Sequence, residues 1–567
     1  MTEFEFEIER IVGRTGLETI KINGYFLHSK YDPIREAREF AKKHYTAGNT
    51  HILFGYGNGY IAEALKNEFT SNEKLICIEP ILKSTVVEKR DVIAIEENKI
   101  EEMEKLLTQY ISIFNNVNII CSPNYDKICP TLFKETLALL KNKLSINRVN
   151  ENTINAMAHE WQRNYLYNIK SAVRDQSIEV LYKFSNAPVV IASGGPSLTK
   201  QLPLVKKIRD YIILIASGST VNTLLKADIE PDYVVSIDSQ EANYNHFKDA
   251  NLTNARFIYS MYSHYKIREK FTNEAYYFLS KGDANLLEHF KSVVHDNVIV
   301  LDGGGSVANF AFSIANYITS GPIALIGQDL AYTNRQSHAL NNKHFKIISD
   351  EEINQKSMFM TTGYYNDEVL TDYALFSMKK SFEQLLDKFQ INQKIFNCTE
   401  GGIKLDNFIQ IPFSQFIEEF VTVNSVELVR SKNIKHLSYR LIINKFLTEL
   451  KNYEKIIVLV NENLRLLASN KSKIQFSSSI LKKLDRNDEL IEKYRNDTAL
   501  QIIMDPINIK IFKDFKPKNI ETATEKYKRV FEQSKMLYMG YLEAIELTKQ
   551  YTVELCDLLE LEKGKYE

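Results

Sequence analysis

Between residues 187 and 408 the chain repeats one pattern: a short apolar run, a turn of Gly, Ser or Asp, then a helical or loop segment. The runs fall at residues 189–192, 212–216, 233–237, 257–260, 298–301 and 323–326. Runs this short and this continuously apolar read as strands buried on both faces. Their alternation with helices constrains the region to a parallel sheet covered on either side. Such a sheet gathers ligands at the carboxyl ends of its strands. The fold class is therefore α/β, with a doubly wound central domain over residues 187–408.

Residues 1–150 read as a second, Rossmann-like α/β domain. Asp32-Pro33 supplies an N-cap and a first-turn proline to a helix that reaches about Tyr45. A strand at 51–54 runs into Gly55-Tyr56-Gly57-Asn58-Gly59, then come a helix over 60–69 and a strand at 75–78 that ends at Glu79. Glycines after one strand and an acid after the next suit the cofactor of S-adenosylmethionine methyltransferases, but no methyl-acceptor motif follows. A purely structural turn is the stronger reading. Residues 151–186 form a helical connector with the single tryptophan, Trp161. Over 409–567 apolar residues such as Leu441, Phe446, Leu450, Tyr453, Ile457 and Val460 recur at three- and four-residue spacing. That is a C-terminal helical bundle, broken at Asp505-Pro506 and Lys516-Pro517.

Composition removes several classes of function. The formal net charge is -1, so no global basic field draws nucleic acid or anionic membrane. Residues 1–7 are acidic and unlike a signal peptide, and no apolar run approaches the ~20 residues of a membrane span. Five scattered cysteines argue against a disulfide framework or a zinc site. A cytoplasmic, reduced protein is expected.

Four strand ends carry the chemistry. The run at 189–192 enters Ser193-Gly194-Gly195-Pro196-Ser197, where glycines allow close backbone approach and the following helix offers free N–H groups to a phosphate. Its plain alternative is a tight turn. The run at 233–237 ends at Asp238, a candidate for ribose, substrate or metal contact, or else an N-cap. The run at 298–301 enters Asp302-Gly303-Gly304-Gly305-Ser306 before a helix. The run at 323–326 leads to Gly327-Gln328-Asp329-Leu330-Ala331-Tyr332, adding Asp329 and Tyr332. Residues 333–372 are polar and weakly patterned, as in a substrate loop. They hold His338, His344, Tyr364, Tyr365 and Asp367.

Taken together these motifs, with the early Leu27-His28-Ser29-Lys30-Tyr31-Asp32-Pro33 segment, resemble the motility accessory factor family across most of the chain. The resemblance implies a flagellin glycosyltransferase that moves pseudaminic, legionaminic or a related nonulosonic acid from its CMP-activated form to Ser or Thr. The central domain is also similar to a bacterial sialyltransferase fold. By that likeness Gly195, Pro196 and Ser197 contact the nucleotide, and Gly304 to Ser306 open a second nucleotide-facing helix. Tyr332 is the candidate for the leaving phosphate. That fold places a catalytic histidine four residues before a Thr-Asp pair. Matching the pair to Thr371-Asp372 puts Asp367 there, so the base stays open among Asp367, His338 and His344. Flagellin and the CMP-sugar are the implied partners. No cofactor is fixed by the resemblance beyond the CMP-activated sugar as donor, and a divalent metal stays open. The same domain resembles an archaeal pterin pyrophosphokinase using Mg²⁺ and ATP. A flagellin-binding chaperone without catalysis is the third reading. On this division of domains, a chain ended near residue 410 is expected to keep CMP binding and to lose flagellin.

Overall fold

The chain folds, in a computed structural model, around a ten-stranded parallel sheet. Described are residues 6–566, apart from 71–72, 83–91, 96–99, 282–285, 295–297, 390–392, 423, 425, 427, 429–437 and 472–474. In chain order the main strands are β1 (Val189–Ala192), β2 (Ile213–Ser217), β3 (Tyr233–Ser236), β4 (Arg256–Ser260), β5 (Ala275–Ser280), β6 (Val300–Leu301), β7 (Ile323–Ile326), β8 (Ile395–Asn397) and β9 (Ile409–Gln410). Their spatial order is β6-β5-β4-β3-β2-β1-β7-β8-β9, with a two-residue strand, Gln176–Ser177, pairing to β5. The chain winds outward from β1 through β6, then returns to the other side of β1 as β7. The order therefore reverses at β1, whose residues Val189 and Val190 pair with Ile213 and Leu214 on one side and with Ile323 and Ala324 on the other.

Alternation along the strands makes both faces apolar. Val190, Ala192, Leu214, Ala216, Val234 and Ala324 face one core layer, with helices α1 (Leu198–Ile208), α2 (Gly218–Leu225), α3 (Glu241–Phe247) and α4 (Leu287–Val294) packed on it. Val189, Ile191, Ile213, Ile215, Tyr233, Val235 and Leu325 face the other layer, covered by α5 (Val307–Ile318) and α6 (Tyr373–Lys388). This is the doubly wound arrangement expected from continuous apolar strands. Four strands escaped the pattern, among them the two-residue pieces Gln176–Ser177 and β9. β5 contains the Tyr276-Tyr277 pair, and β8 is only three residues long. The expected strand at 298–301 shortens to Val300–Leu301.

Residues 333–372 are not irregular. A short helix, Asp350–Gln355, starts at a capping box of Ser349 and Glu352, and Phe359–Thr362 pairs antiparallel with Glu368–Thr371 as a hairpin. The Ser-x-x-Glu box is the sequence signal that polarity concealed.

By contact the chain groups into two units, Met1–Ala158 with Ile457–Leu490 and Ile503–Glu543, and His159–Ile456 with Ile491–Ile502 and Ala544–Glu567. The second holds the ten-stranded sheet. The first holds a parallel sheet ordered Val92–Ile95, Leu75–Ile78, Asn49–Phe54, Asn116–Cys121, and a three-stranded antiparallel sheet from Ile8–Val12 to Tyr25–Phe26. The helix Pro130–Ala172 runs unbroken through residue 150. The C-terminal region is helical: Tyr439–Asn470, Ser478–Arg495, Gln501–Asp514 and Ala523–Tyr566. Each of these helices contributes residues to both units. Pro506 does not break its helix as expected. It forfeits one backbone hydrogen bond, while burial of Ile502, Ile503, Met504 and Ile509 holds the segment. Pro517 does lie between helices. No described helix is long and apolar enough to cross a membrane.

Candidate functional site

The reversal at β1 places the Ser193–Ser197 turn beside the end of β7, the position where such sheets bind ligands. The two strand ends are stitched together. Ser193 N donates to Ile326 O at 3.0 Å, and Gly195 N to Gly327 O at 2.8 Å. The Ser193 hydroxyl donates to Gln328 Oε1.

Asp329 locks this junction. It is 1% exposed. Its Oδ1 accepts from Ser197 N at 3.0 Å, and its Oδ2 from the Ser197 and Thr333 hydroxyls, each at 2.7 Å. Burial raises its pKa against those three hydrogen bonds. Its backbone carbonyl accepts from Ile403 N at 2.8 Å. The carboxylate is thus consumed in joining the turns after β1 and β7, and its part is positioning. Gly195 is glycine for the same reason. A Cβ there would stand 2.3 Å from Asp329 Oδ1 and 2.5 Å from Gly327 O, so the close approach belongs to the protein's own carboxylate. Gly402, at φ +70°, fits against Asp329 in the same way, with a Cβ 2.1 Å from its carbonyl oxygen. Sequence reasoning missed this further strand-end turn, Thr399-Glu400-Gly401-Gly402, although its glycine pair after β8 repeats the signal seen after β1.

Residues 336–348 form a roof over β1 and β2. Ala339 N donates to Gly194 O at 2.9 Å, Leu340 N to the Thr199 hydroxyl at 3.0 Å, and Asn342 Nδ2 to Ser219 O at 3.0 Å. A Cβ on Gly194 would lie 3.1 Å from Asn342 Nδ2, 3.4 Å from Thr220 Oγ1 and 3.7 Å from His338 Cδ2. The roof therefore brings His338 to the glycine turn. Its ring is half-buried, and among the described residues its Nδ1 is buried without a hydrogen-bond partner. Burial and then His344 lower its pKa, which keeps it neutral and fit to accept a proton.

The other candidates lie elsewhere. Asp367 stands exposed at the hairpin turn, where Gly363 N donates to its carbonyl at 2.7 Å. Tyr332 is buried and donates its hydroxyl to Asp372 Oδ2 at 2.7 Å, while Asp372 caps α6 through Leu375 N. Burial and that carboxylate push the Tyr332 pKa up, so the phenol stays protonated. Tyr364 donates to Ile411 O and Tyr365 to Glu400 O. Asp238, at the end of β3, is exposed to solvent, yet protein crowds it enough that desolvation raises its pKa. Among the described residues its carboxylate has no hydrogen-bond or ion-pair partner, so it is the free acid of the rim.

The Gly303–Ser306 turn follows β6, five strand steps from β1, or about 24 Å at ~4.8 Å per step. Gly303 yields to the Phe310 ring, 2.2 Å from a Cβ position, and Gly304, at φ +58°, to Ser381. Only Gly305 is open. Ser306 caps α5 by accepting from Asn309 N at 3.2 Å. These residues shape the start of α5 and are not drawn to the β1 turn.

In the first unit the Gly55–Gly59 turn satisfies itself. Glu79 is 1% exposed, accepts from Tyr56 N, Gly57 N and the Tyr125 hydroxyl on Oε2, and from Ile81 N and Leu82 N on Oε1. His28 Nε2 accepts from Asn58 N. The groups that would greet a cofactor are bound within the fold, in keeping with the structural reading. A cavity of about 430 Å³ near Phe512, Phe515 and Pro517 has Lys518 and Arg529 paired to Glu525 and Glu521. Among the described residues no group of three or more His, Cys, Asp or Glu is placed to hold a metal.

Residues 163–335 match the family described as 6-hydroxymethylpterin diphosphokinase MptE-like, a stretch that runs from ahead of β1 to just past β7. No curated protein is significantly similar in sequence. Among solved structures the chain is similar to the Maf glycosyltransferase from Magnetospirillum magneticum AMB-1, with a TM-score of 0.57 and 14% identity, over 100% of this chain and 93% of that one. At that identity the likeness is one of fold: an α/β architecture with a helical C-terminal region, shared along the whole chain.

Proposed function

We propose that this protein is a glycosyltransferase of the motility accessory factor type. In this reading it transfers a nonulosonic acid, such as pseudaminic or legionaminic acid, from a CMP-sugar to Ser or Thr hydroxyls of flagellin. One observation carries the reading: a glycine turn at the strand-order reversal, roofed by a neutral half-buried histidine, within a fold shared end to end with a Maf glycosyltransferase. The acceptor oxygen attacks the anomeric carbon, the bond from that carbon to the phosphate oxygen breaks, and CMP leaves with the electron pair. His338 takes the acceptor proton. The Gly194 turn and the first residues of α1 face the nucleotide, and Asp238 orients the sugar or ribose by accepting hydroxyl protons. Ser193, Gly195, Pro196, Ser197 and Asp329 hold the turn in shape.

Flagellin incubated with the purified protein and CMP-nonulosonic acid is expected to gain one sugar mass per modified site by intact-mass spectrometry. His338→Gln is expected to lower kcat by about 10²- to 10⁴-fold with a smaller change in KM. A full rate in that variant would remove His338 as base. Flagellin that binds but never gains mass would favour the chaperone reading.

The match over residues 163–335 supports a second reading, ATP-dependent diphosphoryl transfer to a pterin alcohol. It calls for carboxylates free to hold Mg²⁺, and of the strand-end acids Asp238, Asp302 and Asp329, Asp329 is committed to Ser197 and Thr333 and Asp302 to Lys281 and Lys388. Release of AMP from ATP in the presence of a hydroxymethylpterin would establish it.

A further inference from the structure

The roof carries a second histidine, His344, and α3 faces it with His246. Their Nε2 atoms are 3.3 Å apart, and their rings meet edge to face at 4.9 Å. His338, 5.6 Å from the His344 ring, lies between this pair and Gly194. Both rings of the pair are held by their backbones. His344 N donates to Asn342 Oδ1 at 2.9 Å, and His246 O accepts from Asn222 Nδ2 at 2.8 Å. Lys343 Nζ donates to Asn245 O at 2.9 Å, and Lys226 Nζ to Asn341 O at 3.2 Å, so both ammonium groups are drawn to the same corner. The nearby polar side chains Asn342, Thr220 and Ser217 are neutral.

No described hydrogen bond or ion pair brings a carboxylate to any of the three rings. The charges that act on His246 come from His344, Lys343 and His338, all basic. Five basic groups, with no carboxylate hydrogen-bonded or ion-paired to the three rings among the described residues, suit an anion better than a divalent cation. Two imidazole nitrogens at 3.3 Å cannot both carry protons toward each other. An oxyanion set beside the pair, about 3 Å from each nitrogen, would accept from both once both carry protons.

We propose that His246 and His344, backed by Lys343, form an oxyanion subsite that receives a phosphate or carboxylate of the transferred donor. It rests on the nucleotide-sugar reading but is separable from it. Proton uptake follows from the geometry: anion binding favours the protonated rings, so affinity rises as pH falls, by up to about tenfold per pH unit for each proton taken up. His338, Lys226 and Lys343 face the same corner. Burial lowers the pKa of His338 and disfavours its protonation.

Sulfate is the test probe, since it stays a dianion throughout the range. Calorimetry of sulfate into the full-length protein, between about pH 7.5 and about pH 5.5, is expected to show binding that tightens on acidification with proton uptake. The His246→Gln, His344→Gln double variant should lose that dependence while melting as the parent does, since neither ring is buried. Binding that ignores pH, that persists in the double variant, or that is replaced by Zn²⁺ binding at the pair would overturn the subsite. Competition by CMP assigns it to phosphate, and competition by a free nine-carbon acid sugar alone assigns it to carboxylate. Sulfate binding that neither CMP nor the free acid sugar opposes, beside intact CMP binding, removes the subsite and leaves the nucleotide reading standing. Sulfate binding as described, without CMP binding, removes the nucleotide reading instead.

Discussion

A chain ended near residue 410 is expected to lose its cooperatively folded central unit, and CMP binding with it. Sequence periodicity suggested a separable helical bundle. The core says otherwise. Phe413, Phe416, Tyr439, Ile442, Ile443, Phe446, Ile502, Leu555 and Leu559 are buried in the same cluster as Val190, Leu214 and Val234 of the sheet. At about 1.5–3 kcal/mol for each large side chain, their removal exceeds 10 kcal/mol, comparable with the whole stability of a domain. Truncation also strips Glu449 from a buried network. His289 Nε2 lies 2.7 Å from Glu449 Oε1, and His289 Nδ1 lies 2.6 Å from the Tyr165 hydroxyl, with His289 4% and Glu449 1% exposed. The shortened chain should show no cooperative melting by circular dichroism. A sharp transition within a few degrees of the parent, with CMP still bound, would return the helices to a separable domain.

Gly195→Val should damage the turn itself and not merely its ligand. The added Cβ would sit 2.3 Å from Asp329 Oδ1, forcing a buried carboxylate off Ser197 and Thr333. Leaving such a group unsatisfied costs about 3 kcal/mol or more, so Tm should fall by several degrees and all nucleotide binding should go. Gly305→Val is the control, because no described atom lies within 4 Å of its Cβ position. It should melt like the parent. A Gly195→Val protein with unchanged Tm and only CMP binding lost would show that the glycine serves the ligand instead.

The sheet was legible in the sequence because buried parallel strands carry continuous apolar runs, and β1, β2, β3, β4 and β7 all do, apart from Arg256 and the serines that end β2, β3 and β4. The glycine turn at β1 was legible because strand, glycines, proline and helix follow one another. What escaped is long-range. Nothing near Asp329 in the sequence reveals that Ser197 and Thr333 will occupy its carboxylate, or that Gly402 will press on its carbonyl. Gly303–Ser306 resembles the β1 turn locally, but strand order, which the sequence does not state, places it at the far side of the sheet. His246 drew no notice as one histidine on a short helix. Only the fold sets it against His344. Residues 333–372 looked loose because polarity hid the capping box and a four-residue hairpin.

The central claim is that the donor nucleotide sits at the reversal between β1 and β7. Amide hydrogen exchange of the full-length protein with and without CMP tests it directly. Protection is expected in residues 193–199, 217–222 and 336–344, the turn, its neighbour and the roof. Protection confined to residues 55–60 or 302–307, or CMP binding that protects none of these segments, would contradict it.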